Sequence, residues 1–255
     1  IIDIVHSHAS NNVNDGINRF DGTDHCFSHA GEKGYHSAWD SMIFDYSKYE
    51  VLRFLLSNLT YYIQEFQVDG FRFDLASALA RRRGEIDGIS ALIVSIVSDP
   101  VLRERKLIAE PWDVQGYALG AFPYPWREWN DQFRDVVRKF WLHGYTLKPG
   151  DMATRISGSH DIFYYRGPNS SINFLSAHDG FTLADLTMYN EKHNEANAEN
   201  NNDGTNNNYS WNLGIEGPTD DVLINQTRTT LQKSLMASLV MSAGVPMILM
   251  GDEVS

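Results

Sequence analysis

Short apolar, β-rich runs alternate along the chain with longer segments whose apolar residues recur every three or four positions, the pattern of parallel βα units. Residues 1–5 predict a buried strand. A Gly-, Asn-, Asp- and His-rich stretch follows, from Ser7 to about Asp45. It is too long for an ordinary βα loop, so it is expected to be functional. Ser47 and Glu50 have the spacing of a capping box, and Leu52, Leu55, Leu56, Leu59, Tyr62, Ile63 and Phe66 behind them predict an amphipathic helix. Residues 68–74 predict the next strand, 86–98 a helix and 106–110 a third strand. Within 126–142 the pattern predicts a short strand or turn feeding a helix that starts near Phe133. Residues 172–177 predict a further strand, and the long polar region after it, Asn-rich over 199–208, reads on composition as a solvated loop. Leu231, Leu235 and Leu239 mark a last helix stopped by Gly244, and residues 245–250 a final strand. There is no internal repeat and no linker that would separate two domains.

Nearly every predicted strand ends, on its C-terminal side, in carboxylate, imidazole or guanidinium groups. Asp3 and His8 flank the end of the first, Arg72 and Asp74 end the second and Glu110 the third. His178 and Asp179 follow residues 172–177, and Asp252 and Glu253 follow the last strand. In a parallel barrel such ends converge on one face. Within Gly70-Phe71-Arg72-Phe73-Asp74 the two-residue period sets Arg72 and Asp74 on one face and Phe71 and Phe73 on the other. A guanidinium so placed favours the ionised carboxylate, which suits a nucleophile. Glu110 precedes Pro111 and Trp112, and an apolar wall there would favour the protonated form a general acid requires. Two carboxylates pushed in opposite directions are what retaining glycoside hydrolysis uses. A structural ion pair and a capping role are the alternatives for these residues. His178 and Asp179 offer a donor and acceptors to vicinal sugar hydroxyls. Trp39, Trp112, Tyr124, Trp126, Trp129 and Trp211 would stack on glucose rings, or simply pack.

Composition narrows the partners. An apolar fraction of 42% with 13 Phe, 12 Tyr and 6 Trp supplies a sizeable core, and 255 residues match the roughly 250 of a (β/α)8 barrel. Lys and Arg number 21 against 33 Asp and Glu, a net charge of −12, which argues against a nucleic-acid or anionic-membrane surface. Cys26 is the single cysteine and cannot close an intramolecular disulfide, so a reducing, cytoplasmic setting is the default. No apolar run approaches the roughly 18 residues of a membrane span. The chain starts without Met inside an apolar run, which reads as the middle of an element and so as a fragment. A plastid location stays open if a transit peptide precedes it.

His6-Ser7-His8 places two imidazoles at a strand end, with His25, Cys26 and His29 as conceivable further metal ligands. The other convergent groups are mostly carboxylates and Arg72, so neither a catalytic metal nor any other cofactor is expected. There is no GxGxxG, Walker A or GxSxG sequence.

In order, Asp3-Ile4-Val5-His6-Ser7-His8, Gly70 to Asp74, Ala109-Glu110 and Ser176-Ala177-His178-Asp179 resemble the four short regions of the α-amylase superfamily, glycoside hydrolase family 13. The resemblance implies a (β/α)8 TIM barrel, here incomplete. The first strand would be the family's third and the last its eighth, with residues 9–45 as the inserted small-domain loop and residues 1–255 as a partial catalytic barrel. It implies Asp74 as nucleophile, Glu110 as general acid/base and Asp179 as transition-state stabiliser. Asp3, His8, Arg72 and His178 would hold the reacting glucose.

From Gly70 onward the chain is similar to isoamylase-type glycogen-debranching enzymes, through Gly70-Phe71-Arg72-Phe73-Asp74-Leu75-Ala76-Ser77, Leu107 to Asp113, Glu128-Trp129-Asn130, Ala177 to Leu183 and His193-Asn194-Glu195-Ala196-Asn197. Residues 1–69 instead resemble a glycogen-branching enzyme, through Val5 to Ser10, Phe20 to His25, Trp39-Asp40-Ser41 and Val51 to Asn58. The resemblance implies hydrolysis of α-1,6 branch points in a branched α-glucan such as glycogen or limit dextrin. Transfer to a 6-hydroxyl, as in a branching enzyme, is the alternative, and an inert glucan-binding fragment is a third.

Overall fold

A computed structural model describes residues 1–36, 40–82, 85–86, 90–114, 116–144 and 147–254. Trp39 and residues 87–89 of the helix expected over 86–98 lie outside the described residues, and Ile86 belongs to a short strand instead. Two compact units form, Ile1–Trp129 and Asn130–Ser255.

In the first unit, β1 (Ile2–Ile4) is followed in the chain by a separate antiparallel sheet of β2 (His8–Ser10), β3 (Tyr35–His36) and β4 (Ser41–Ile43), with β4 in the middle. The long polar stretch is therefore partly ordered as strand. Helix α1 (Tyr49–Phe66) follows. The expected capping box does not form: Lys48 occupies the N-cap and no side chain caps it. The hydroxyl and amide of Ser47 both donate to Asp45 Oδ1, so that serine is consumed by the preceding turn. Val51, Leu55, Leu59 and Ile63 form the buried stripe of α1, each contributing about 1.5–3 kcal/mol by burial.

Next come β5 (Gly70–Phe73), the short pair β6 (Arg81–Arg82) and β7 (Glu85–Ile86), and α2 (Ala91–Ser98). They are followed by β8 (Lys106–Ala109), the pair β9 (Trp112–Asp113) and β10 (Gly116–Tyr117), and β11 (Arg127–Asn130). Helix α2 starts where Ser90 accepts the Ile93 amide at 3.3 Å, later than its apolar pattern suggested. β1, β5, β8 and β11 are parallel neighbours in that order. Phe71 and Phe73 are fully buried in the cluster that includes Leu55 and Leu59. At Gly70 the backbone of β8 leaves no space, because a Cβ would lie 2.2 Å from the Lys106 carbonyl oxygen.

The second unit carries α3 (Asp131–Leu142), α4 (Pro149–Ile156), α5 (His160–Phe163), β12 (Ser171–Phe174), α6 (Val222–Met241) and β13 (Val245–Met247). β12 and β13 pair in parallel. Six strands thus take part in parallel pairing, four in the first unit and two in the second, as fits a partial α/β barrel. Asn130 caps α3 by accepting the Phe133 amide at 3.0 Å, and its amide nitrogen donates to Ser159 and Ser171, each at 2.9 Å. A core of Phe133, Val137, Leu175, Leu183, Leu186, Leu235 and Leu239 closes the unit. Among the described residues no helix is long and apolar enough to cross a membrane.

Candidate active site

Parallel pairing sets Asp3 beside Arg72 in register. It then continues past the strand ends: the Asp74 amide donates to the Ile4 carbonyl at 3.0 Å and the Glu110 amide to the Phe73 carbonyl at 3.1 Å. The backbone thereby fixes three carboxylates around one guanidinium. Arg72 Nη1 lies 2.8 Å from Asp3 Oδ1 and 3.1 Å from Asp74 Oδ1, and Arg72 Nη2 lies 2.8 Å from Glu110 Oε1. Under this fork sits the ring of Trp129, 4.3 Å from the guanidinium carbon, a cation–π contact. Burial opposes the charge on Arg72, but Glu110, Asp3 and Asp74 together hold its pKa above the usual value.

The three carboxylates differ in access. Asp3 is 61% exposed, Asp74 22% and Glu110 2%. Glu110 does not face the apolar wall expected for it. Its Oε1 meets Arg72, and its Oε2 accepts the Leu75 amide at 2.7 Å. Its backbone carbonyl accepts the Ala76 amide at 2.8 Å. Leu75 is left-handed, with φ 46° and ψ 46°, an unfavourable region for a branched side chain. Glu110 therefore holds from below the turn that carries Asp74.

His8 lies close enough to Asp74 for that charge to oppose the lowering of its pKa by burial. Its Nδ1 is 2.9 Å from the Ser7 hydroxyl. His6 takes a separate role. Its Nε2 donates to Asn58 Oδ1 at 3.0 Å, its ring meets Phe73 edge-on, and burial, partly offset by the Asn58 bond, pulls its pKa to about 4. His25 turns to Asp24 and His29 to Asp45. The imidazoles considered as metal ligands thus engage separate partners.

In the second unit His178 Nε2 and Asp179 Oδ1 are 3.3 Å apart and both side chains are more than half exposed. They open onto a cavity of about 400 Å³ whose far wall comes from the Asn-rich segment. Asp252, expected among the strand-end groups facing substrate, points inward instead. It accepts from the Ser176 hydroxyl, and from the Leu183 amide at 3.0 Å. Trp126 and Trp129 are likewise buried, the first against Phe73 and Phe122 and the second beneath Arg72, so neither presents a face to a sugar. Tyr124 and Trp211 are exposed.

Several contributors carried no sequence signal. Tyr46 donates to the His6 carbonyl at 2.7 Å, which fixes the segment leading to His8. Arg138 donates Nε to the Leu175 carbonyl at 2.7 Å and Nη1 to the Asn208 carbonyl at 3.0 Å. Those bonds tie the approach to His178 to the Asn-rich segment.

No family model matches the chain. Over 207 residues, 80% of the chain, it is 50% identical to a protein of Mycobacterium tuberculosis named glycogen operon protein GlgX homolog. Over 208 residues it is 46% identical to the glycogen debranching enzyme of Erwinia tasmaniensis. The chain spans 29% and 31% of those relatives. Among solved structures, type I pullulanase of Bacillus subtilis complexed with maltose superposes with a TM-score of 0.66, over 99% of the chain and 33% of the pullulanase, at 22% identity. Pullulanase of Bacillus acidopullulyticus gives the same TM-score at 18% identity over 98% of the chain and 28% of that protein.

Proposed function

We propose a function from one premise: the chain belongs to the isoamylase-type glycogen-debranching enzymes of the α-amylase superfamily. The reaction is hydrolysis of α-1,6 branch linkages in glycogen-type glucans, by double displacement with retention. One observation carries this reading: a single guanidinium, fixed at the C-terminal edge of a parallel sheet, touches an accessible Asp74 and a buried Glu110.

In the proposed sequence Glu110 gives a proton to the glycosidic oxygen while Asp74 attacks the anomeric carbon. The aglycone glucan leaves with its 6-hydroxyl restored, and a β-glucosyl ester forms on Asp74. Glu110, now a carboxylate, takes a proton from water, which displaces Asp74 and regenerates both carboxyl groups. Arg72 stays paired with Asp74, which keeps the nucleophile ionised and aligned. Glu110 Oε2 stays on the Leu75 amide while Oε1 exchanges Arg72 for the glycosidic oxygen. Asp179 and His178 take the roles their motif implies, stabilising the flattened ring through its hydroxyls, with Asp3 and His8 on the same sugar.

On this reading the six parallel strands are the family's third to eighth, and residues 9–45 are the inserted small-domain loop of a partial catalytic barrel. The two carboxylates supply nucleophile and proton, so the chemistry calls for no cofactor. A branched α-glucan is the partner and the cytoplasm the setting. The motifs of residues 1–69 favour transfer to a glucan 6-hydroxyl as a second reading, through the same covalent intermediate.

Proton NMR of the first products from a branched limit dextrin tests the mechanism. The expected product is the α-anomer, appearing before mutarotation, and Asp74→Asn is expected to lower the rate at least about 10³-fold with the circular-dichroism spectrum unchanged. A β-anomer as first product would overturn double displacement.

A further inference from the structure

Arg72 is fastened at fewer points than its three acidic neighbours suggest. Its hydrogen bonds to carboxylates both leave Nη1, to Asp3 at 2.8 Å and to Asp74 at 3.1 Å. Nε and Nη2 are buried without a hydrogen-bond partner among the described residues. Nη2 does approach Glu110 Oε1, at 2.8 Å, so that contact is an ion pair without the alignment of a hydrogen bond. Hydrogen bonds to one nitrogen fix a point but leave the plane of the group free to tilt about it. Any tilt would carry Nη2 away from Glu110.

The remaining contact is the indole of Trp129, whose centroid lies 4.3 Å from Arg72 Cζ, well within the roughly 6 Å of a cation–π pair. A planar guanidinium stacks on such a face, so the ring fixes the one thing that the hydrogen bonds leave loose. Trp129 is itself held. On β11 its neighbour Glu128 is fully buried, lies opposite Ala109 in register and accepts the Gly120 amide at 2.5 Å. Successive strand residues face opposite ways, so Glu128 anchors one side of the strand while Trp129 presents its ring on the other. All of these residues belong to the first compact unit.

We infer that Trp129 is a positioning residue: the electron-rich face of its indole sets the plane of the Arg72 guanidinium, so that Nη1 reaches Asp74 while Nη2 reaches Glu110. The kinetic consequence rests on the roles proposed for Asp74 and Glu110; the placement of Arg72 does not. Loss of the ring would leave substrate contacts in place and misalign the two reacting carboxyls, and a displacement of about 1 Å at such a site can cost on the order of 10²-fold in rate.

Nitrogen-15 NMR of Arg72 reads the placement without turnover. Exchange of Nη1 with Nη2 requires the group to turn through the space over the indole, so in the unchanged protein their signals, assigned by their loss in Arg72→Lys, are expected to be separate. In Trp129→Met they are expected to merge, and in Trp129→Phe, which keeps a ring face, to stay separate. Fluorinated indoles at position 129 keep the shape and weaken the negative face, so the exchange is expected to quicken with each added fluorine, whether or not Trp129→Met folds. Limit-dextrin kinetics read the consequence: kcat is expected to fall about 10-fold in Trp129→Met and to recover to within about threefold in Trp129→Phe, with KM within about twofold throughout. Signals that stay separate in Trp129→Met, or exchange indifferent to fluorination, would overturn the inference even if debranching is found. Absence of debranching together with Trp129-dependent exchange would overturn the proposed reaction and leave the placement of Arg72 standing.

Discussion

Arg72 is buried, yet its fork serves three carboxylates. Replacing it with Met breaks a buried ion pair with Glu110, itself almost inaccessible. Such a break costs about 3–5 kcal/mol, so urea unfolding of Arg72→Met is expected to show a loss of that order. Arg72→Lys should recover part of it, since an ammonium keeps the charge but cannot span two acids at once. His6 gives a pH signature of its own. Its folded pKa of about 4 lies below the unfolded value near 6.5, so the folded protein refuses a proton that the unfolded chain accepts. Stability is therefore full above pH 6.5 and falls as pH drops toward 4, by up to about 3 kcal/mol at about 1.4 kcal/mol per pKa unit. In chemical denaturation from pH 7 to 4.5, His6→Gln is expected to flatten that part of the profile; an unchanged slope would assign the loss to other groups. That Arg72 and Asp74 share a face was legible in the two-residue period of their strand. That Arg72 also meets Asp3 and Glu110 was not, because register between strands about 70 and 40 residues apart in the chain is decided by packing.

At the level of elements, long periodic segments were readable and short or cross-tied ones were not. The stripe of α1 follows directly from its spacing. Helices α4 and α5, of 8 and 4 residues, are too short for a periodic pattern to stand out. The Asn-rich segment is exposed over most of residues 199–207, as its composition suggested; composition does not report that Asp203 accepts from four groups at once. Gly70 tests the tightness of the central strand pair. With a Cβ 2.2 Å from the Lys106 carbonyl oxygen, Gly70→Ala must spread β5 from β8, and a loss of about 1–3 kcal/mol is expected in urea unfolding. Arg138 tests the second unit. Burial pulls its pKa down to about 9, so it keeps its charge at neutral pH while serving the Leu175 and Asn208 carbonyls. Arg138→Met leaves those carbonyls unpaired, at about 1–3 kcal/mol each. The Asn-rich segment is expected to exchange its amide hydrogens faster in that variant, as mass spectrometry would read.

For the whole molecule, a net charge of −12 suits a neutral polymeric substrate and disfavours polyanions. β1 and β13 each pair with one strand among the described residues, and such edges are open to further pairing. Because the chain spans under a third of the relatives it matches, activity has to be measured on this chain itself. On the proposed reading, the candidate reaction residues are divided between a part whose motifs resemble branching enzymes, residues 1–69, and a part whose motifs resemble debranching enzymes, from Gly70 onward. The most direct measurement is reducing-end release from a branched limit dextrin beside linear amylose, with the Asp74→Asn protein as control and amylose products analysed for new branches. Hydrolysis of α-1,6 linkages requires reducing ends from the dextrin, no new branches in amylose and loss of release in Asp74→Asn. New α-1,6 branches in amylose, or release that survives Asp74→Asn, would contradict it.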